Sequence, residues 1–317
     1  MTDVLCAGHV NWDVTLRVAE LPAPDGEVQL RGTAEAGGGS AANVAVNLAG
    51  LGATAAVFGS TGDDETGERA RRELVASGVE THLVRADGET AVKYLIVDGN
   101  GEVMVLSGDG ENEAFRAADL PPAALETDVC HLTSQAPSVA AGLTERARDH
   151  GATVSLAPGR RIADRDFSAA LSRAALVFVN EREAAALGTE PWGDGLRPDA
   201  ALVVTLGDDG AAVHTRDRTV EHPGFEATPL DTTGAGDAFA AGYLAARGGS
   251  LPDAVLAAAR ENVDDPGPRL PGDTAAGDDG VGVRAALAVA NACGAVASRA
   301  LGARAALTPQ RLLDVIE

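Results

Sequence analysis

Asp231-Thr232-Thr233-Gly234-Ala235-Gly236-Asp237-Ala238-Phe239 leads into an Ala-rich amphipathic stretch that runs to about residue 247. Gly234 and Gly236 free the backbone, so successive N–H groups can point into one concavity at the head of a helix. Such a concavity binds phosphate oxygens without a lysine. Asp237 falls in the first turn of that helix. A carboxylate there often does no more than complement the helix dipole. Beside an anion hole it can also accept a hydroxyl proton during phosphoryl transfer, and the nine-residue pattern points to that chemistry.

Upstream of this stretch, short apolar runs alternate with helical ones. Residues 4–8, 53–59, 129–132, 153–156, 175–179 and 201–206 read as buried strands. Residues 40–51, 64–77 and 138–150 read as helices. This alternation predicts an α/β chain with a parallel sheet covered on both faces. Residues 12–18, 27–36, 90–97 and 102–107 instead alternate apolar and polar side chains, the last pair around Asp98-Gly99-Asn100-Gly101. They predict a small antiparallel sheet projecting from the main domain, inserted at about 11–36 and 89–108, placed to act as a lid and as a dimer surface. The chain is expected to be one domain over 1–317, with residues 262–280, rich in Pro, Gly and Asp, as an acidic surface loop.

A second glycine cluster, Gly37-Gly38-Gly39-Ser40-Ala41-Ala42-Asn43, precedes the first helix. Taken alone, Gly37-x-Gly39-x-x-Ala42 fits a dinucleotide fingerprint, with Asp63 or Asp64 as the ribose carboxylate. A Rossmann oxidoreductase built on it leaves 231–237 unexplained, and the cluster follows a period-2 strand, not the first buried one. The other readings are a tight turn, or a backbone that approaches a small polar ligand while Asn43 reaches it from the helix.

The chain has 317 residues, with 47 Asp+Glu against 25 Lys+Arg and a net charge of -22. That charge disfavours nucleic acid and anionic membrane surfaces as partners. It reads as a solvated surface adapted to molar salt, as in a protein of a halophilic archaeon. The one lysine, Lys93, sits in Ala-Val-Lys-Tyr, which excludes a Walker-type phosphate loop. Cys6, Cys130 and Cys293 have apolar neighbours and read as core residues. With no signal-like start and no membrane-length apolar run, a soluble cytoplasmic protein is expected.

Gly38-Gly39-x-x-x-Asn43 and Asp231-Thr-x-Gly-Ala-Gly-Asp237 resemble the two signatures of the ribokinase-like, or PfkB, carbohydrate kinase family, and the resemblance covers essentially the whole chain. It implies a three-layer α/β/α fold with a mainly parallel central sheet and a β-sheet lid. It also implies direct in-line transfer of the γ-phosphoryl group of ATP to a hydroxyl of a sugar-like acceptor, and a homodimer formed through the lid. By that resemblance Asp237 is the catalytic base, and Gly234, Ala235 and Gly236 form the anion hole. Asp13, Gly38, Gly39, Asn43 and Gln135 hold the acceptor; Thr205, Gly207, Gly210 and Asn291 border the nucleotide. Asn180 and Glu183 are similar to the Asn-x-x-Glu motif that orders Mg²⁺ through waters, although the same residues read as an ordinary helix start. Asp231 and Thr233 match positions that, with the turn at 298–303, hold K⁺ in many members.

The acceptor stays open among three classes. A free sugar of the ribokinase, fructokinase or ketogluconate-kinase kind ranks first. A nucleoside follows, because Gly8-His9, His131-Leu132-Thr133 and Ala157-Pro158-Gly159 resemble archaeal nucleoside kinases. A sugar phosphate, such as ribose 1-phosphate or fructose 1-phosphate, would need cations near the acceptor, for which Lys93, Arg160 and Arg161 are candidates.

Overall fold

The computed structural model describes residues 2–99, 103–188, 195–263, 281–300, 302, 304 and 306–317. The expected acidic loop lies outside the described residues from 264 onward, as do Asn100 and Gly101 of the lid turn and residues 301 and 303 of the 298–303 turn.

The first strand, β1 (Thr2–Ala7), shows how the layers arise. Val4 and Cys6 join one hydrophobic cluster while Leu5 and Ala7 join a second on the opposite face. Both faces are buried, so the strand reads as a continuous apolar run. The following elements are β2 (Asn11–Arg17), β3 (Gly32–Gly38), α1 (Ser40–Gly50), β4 (Ala55–Gly62), α2 (Glu65–Ala76), β5 (Glu80–Ala86), β6 (Val92–Val97) and β7 (Val103–Ser107). Then come β8 (Thr127–Leu132), α3 (Pro137–Asp149), β9 (Thr153–Leu156), α4 (Ser168–Leu171), β10 (Leu176–Asn180), α5 (Glu181–Leu187) and β11 (Ala201–Thr205). The chain closes with β12 (Ala211–His214), β13 (Thr219–His222), α6 (Ala235–Gly248), α7 (Asp253–Glu261), α8 (Val283–Ser298) and α9 (Pro309–Ile316).

The main sheet has the order β13-β12-β11-β10-β9-β8-β1-β4-β5, parallel throughout except at the two antiparallel edge strands β12 and β13. Side chains of α1, α2, α6, α7, α8 and α9 cover one face; those of α3 and α4 cover the other. This is the expected three-layer α/β/α arrangement. Aromatic residues are scarce, so the helices pack through small side chains. A Cβ on Gly242 of α6 would come within 2.5 Å of the Cys293 sulfur on α8. Cys293 therefore fills the space that Gly242 leaves, and all three cysteines are buried and free.

The sheet grows in both directions from β1: the chain builds β4 and β5 on one side, then crosses to build β8 to β11 on the other. The point of reversal, at the C-terminal ends of β1 and β8, is where ligands bind in open α/β sheets.

The second sheet has the order β3-β2-β6-β7. Its outer pairs are antiparallel, but its central pair, β2 with β6, is parallel, which departs from the purely antiparallel sheet that the strand pattern predicts. The reason is topological. β2 leaves the end of β1 and β6 leaves the end of β5, and β1 and β5 run in the same direction. Both departing strands therefore set out side by side from one edge of the main sheet. The strand expected over 27–36 begins only at Gly32.

Candidate active site

The exits of β1 and β8 touch. Gly8 has φ +150, and a Cβ there would fall 2.1 Å from the Thr133 hydroxyl, while His9 donates its N–H to the Ser134 carbonyl. Gln135 is buried beside them, its Nε2 donating to the Ala7 carbonyl at 3.3 Å and its Oε1 without a partner. From this junction β2 carries Asp13 outward and β3 returns to Gly37-Gly38-Gly39.

The structure gives each of these glycines its own reason. A Cβ on Gly37 would lie 2.3 Å from the Arg304 guanidinium, and one on Gly38 would lie 2.1 Å from the Asp13 carboxylate. Gly39 has φ +93 and would collide with the His9 carbonyl. The cluster ends β3 of the small sheet and does not follow β1, so the dinucleotide fingerprint, with Asp63 or Asp64 as its carboxylate, is not realised. A backbone that must pass close to polar side chains selected the glycines.

Gly39 caps α1 and so sets Asn43 one turn into it, facing α6. Asn43 Nδ2 donates to Asp237 Oδ2 at 2.8 Å across 194 residues of sequence. Gly234 takes a left-handed conformation, φ 78, at the head of α6, with no side chain capping the helix. Ala235 donates its N–H to the Thr232 carbonyl at 3.2 Å, but the N–H groups of Gly236 and Asp237 have no acceptor within the helix and Gly236 is exposed, so this end of α6 can receive an anion. Asp237 itself keeps part of its surface exposed. Desolvation raises its carboxyl from the ordinary 3.8 to about 6; the Asn43 bond and the Lys93 cation act in the opposite sense, and Asp13 adds to the rise. A carboxylate poised near neutrality is suited to take up a proton.

Asp13 is 7% exposed, and its Oδ1 has no hydrogen-bond partner. Burial raises its pKa, while Lys93 and Arg304 lower it. Lys93 stands opposite Asp13 in the register of β2 with β6. With the Asn11 amide turned so that its oxygen faces Lys93, Asn11 accepts from Nζ at 2.8 Å. Asp13, Gly38, Gly39, Asn43 and Asp237 thus converge as expected, joined by the one lysine of the chain.

Two groups at this end have no sequence signal. Glu113 accepts from His9 Nε2 at 2.8 Å and from Arg165 at 2.8 and 3.0 Å; the His9 bond is the main cause that lowers its carboxyl to about 2. Arg165 also donates to the Gln135 carbonyl at 3.3 Å. Arg304, its side chain 7% exposed, pairs with Glu73 at 2.9 Å and donates Nε to Asn43 Oδ1 at 3.2 Å. Partners 104, 52 and 231 residues apart cannot be matched by reading along the chain.

An open cleft of about 770 Å³ is lined by Asp208, Phe225, Glu226, Thr228 and Arg299 among others. Thr205 ends β11, and Gly207 turns with φ +62 and no neighbour where a Cβ would be; neither is among the lining residues, although Asp208, next in the chain, is. Gly210 and Asn291 do not line it either, and both pack against His222. A Cβ on Gly210 would sit 2.1 Å from the His222 carbonyl, and Asn291 Nδ2 is 3.2 Å from His222 Nδ1.

Asn180 and Glu183 form a reciprocal capping box at the start of α5, with bonds of 2.9 and 3.0 Å. Burial raises the Glu183 carboxyl, a penalty that a nearby cation would relieve. Asp231 is 1% exposed; it accepts the Thr233 N–H at 2.8 Å and the Gly302 N–H at 2.9 Å, so it ties the 231–234 loop to the end of α8. No group of three or more His, Cys, Asp or Glu side chains placed to hold a metal occurs among the described residues, and none of their helices is long and apolar enough to cross a membrane.

Comparison with known proteins gives a consistent set of matches. The family described as pfkB family carbohydrate kinase matches residues 1–311. The ATP-dependent ribose-1-phosphate kinase of Halopiger xanaduensis is 46% identical over 314 residues, which cover 97% of this chain and 96% of that protein. The nucleoside kinase of Methanothermobacter thermautotrophicus is 27% identical over 78% of this chain and 84% of its own. Among solved structures, the ribokinase of Giardia lamblia superimposes with a TM-score of 0.81 at 19% identity, covering 99% of this chain and 98% of that one, a likeness of fold.

Proposed function

The chain belongs to the pfkB family of carbohydrate kinases, phosphotransferases that act on an alcohol group, and within that family we propose that it transfers the γ-phosphoryl group of ATP to the primary hydroxyl of a phosphorylated pentose, ribose 1-phosphate in the first instance. The observation that carries this reading is the Asp237 carboxylate, raised to about 6, in the first turn of a helix that no side chain caps, beside the exposed Gly236. The acceptor class rests on Lys93 beside Asp13, a cation where a sugar phosphate needs one, and on the name of the relative 46% identical. It selects the third acceptor class drawn from the sequence, ahead of a free sugar and a nucleoside.

In this reading Asp13, Gly38, Gly39, Asn43 and Gln135 orient the sugar, and Lys93 meets its phosphate. The orphaned Asp13 Oδ1 and Gln135 Oε1 accept from sugar hydroxyls, which supplies the hydrogen bonds that both buried atoms lack. Asp237 takes the proton of the attacking hydroxyl, and the Gly234, Ala235 and Gly236 backbone receives the charge that develops on the phosphoryl oxygens. The ATP lies in the cleft at Asp208 and Phe225, bordered by Thr205, Gly207, Gly210 and Asn291. Asn180 and Glu183 would hold Mg²⁺ through waters; the half-buried carboxyl of Glu183 fits that role. Bound Mg²⁺ neutralises charge on the phosphates. Asp231 and Thr233, with the turn after α8, would hold K⁺. A buried carboxylate that accepts from two backbone N–H groups suits a monovalent cation.

The four-stranded sheet is the lid, and one face of its strands β6 and β7 carries Tyr94, Met104 and Leu106 exposed, at 42, 39 and 51%. We read this apolar surface as the contact of a homodimer. We place the enzyme in the cytoplasm, where ATP and sugar phosphates are found.

A coupled assay in concentrated KCl, offering ribose 1-phosphate, ribose, fructose 6-phosphate and nucleosides with ATP or ADP, tests the proposal. Ribose 1-phosphate with ATP is expected to give the highest kcat/KM. A higher value for ribose or a nucleoside would overturn the acceptor and leave the kinase assignment intact.

A further inference from the structure

Asp237 does not stand alone on its helix. Asn43 bonds to it, and the orientation of Asn43 is itself set by a group far away in sequence. Arg304 Nε donates to Asn43 Oδ1 at 3.2 Å, so the oxygen of that amide faces Arg304 and its NH₂ faces Asp237 at 2.8 Å. Arg304 is anchored in turn by Glu73 of α2, whose Oε1 accepts from it at 2.9 Å. The other oxygen of Glu73 accepts the Gly37 N–H at 2.9 Å, at the foot of β3. A Cβ on Gly37 would occupy the place of the guanidinium, so the glycine is what lets Arg304 reach Asn43.

We propose that Arg304 is a positioning residue for the reaction: held by Glu73 over Gly37, it fixes the Asn43 amide with its donor toward Asp237 and so keeps Asp237 in the proton-accepting form. The inference rests on the reading of Asp237 as the base. An amide can present either end. With its NH₂ toward Asp237 it favours the carboxylate; with its oxygen there it favours the protonated acid. Without Arg304 the orientation of Asn43 is left to follow the protonation state of Asp237, and one of the positive charges near Asp237 is also lost.

The other charged groups that bear on Asp237 are Lys93 from β6 and Asp13 from β2, with opposite effects; Asn43 and Ser40 of α1 supply hydrogen bonds. The charge on Arg304 is offset mainly by Glu73, then by Asp13 and Asp237. A structural salt bridge would hold α2 against the C-terminal segment and leave the protonation of Asp237 unchanged, and this difference decides between the two roles.

The test compares wild type with Arg304→Met and Arg304→Lys, each shown to be folded by circular dichroism and its melting temperature. The pH profile of kcat/KM is recorded, and the Asp237 side-chain carboxyl is titrated by carbon-13 NMR, assigned by its absence in Asp237→Asn. In Arg304→Met the acid limb and the carboxyl titration are expected to move up together by about one pH unit. At pH 6.5 kcat is expected to fall several-fold, with the KM for ATP unchanged. Arg304→Lys, which restores the charge and a donor, is expected to recover part of the shift. If Arg304→Met does not fold, Arg304→Gln, neutral but still able to bond to Glu73, is titrated instead. A carboxyl that titrates as in wild type in a folded, uncharged variant overturns the proposal. Because the titration needs no turnover, that outcome is distinct from retained activity in Asp237→Asn, which would overturn the base itself.

Discussion

Replacing Asp237 by asparagine separates what this carboxylate does for catalysis from what it does to stability. The amide introduced by Asp237→Asn keeps an oxygen that can accept the Asn43 Nδ2 bond, 2.8 Å long in the wild type, so the local geometry survives. It cannot take up a proton. A positioned base contributes on the order of 10²–10⁴-fold, about 3–5 kcal/mol of barrier, and kcat should fall by at least that factor while ATP still binds.

Stability should move the other way. The folded-state pKa of Asp237 is raised from 3.8 to about 6, so between those values the folded chain holds a proton that the unfolded chain releases. Wild-type stability therefore declines as pH rises through that window, and above about pH 6 the full penalty of a desolvated carboxylate is present. Two pH units correspond to about 3 kcal/mol at most, and partial exposure of the side chain reduces this to roughly 1–2 kcal/mol. The neutral amide escapes that cost. Asp237→Asn is expected to melt about 2–4 °C higher than wild type at pH 8 and to show no advantage near pH 4. Paired melting curves at the two pH values, with a coupled ATP assay at pH 8, measure both effects. An active variant, or one that is less stable at pH 8, would refute the reasoning.

Other outcomes follow from the same geometry. The kcat/KM of the wild-type enzyme should decline below about pH 6 as Asp237 becomes protonated, and a profile flat to pH 5 would contradict its assignment as base. Gly38→Ala places a Cβ 2.1 Å from the Asp13 carboxylate; displacement of Asp13 by about 1 Å should lower kcat/KM for the acceptor on the order of 100-fold, with the KM for ATP little changed. Lys93→Met should raise the KM of ribose 1-phosphate while leaving that of any unphosphorylated acceptor in place, and an equal effect on both would remove the phosphate contact. With a net charge of -22, transfer from molar KCl to about 0.01 M lengthens the screening distance from about 3 to 30 Å, and the melting temperature should fall by several degrees.

Much of the fold is legible along the chain because strand and helix impose their own periods. The expected limits of β9 coincide with those observed, and those of α1, α2 and α3 lie within a residue at either end, since their apolar faces repeat against a core. β5 leaves no clear signal: it is an edge strand, partly exposed along most of its length, with polar residues among its apolar ones. β12 and β13, only four residues each, likewise raise no strand expectation in the sequence. In the site, the two glycine motifs are visible because a backbone that must bend or pass close to a neighbour excludes a Cβ. Glu113, Arg165, Glu73 and Arg304 are not visible. Charged residues are common on an acidic chain, and nothing local separates these four from those in solvent.

The sequence by itself determined the layers and the two glycine-bearing turns, because these depend on local periodicity and on where glycine is required; the strand order and its switch point came only with the tertiary structure. Only the tertiary structure decided what charge reaches Asp237 and Asp13. Burial and pairing are properties of the assembled cleft, where β2, β6, α1, α2, α6 and Arg304 meet. There Lys93 stands beside Asp13, Asn43 is turned toward Asp237, and Arg304 holds it so. A pKa near 6 arises from that meeting, and no single stretch of the chain contains it.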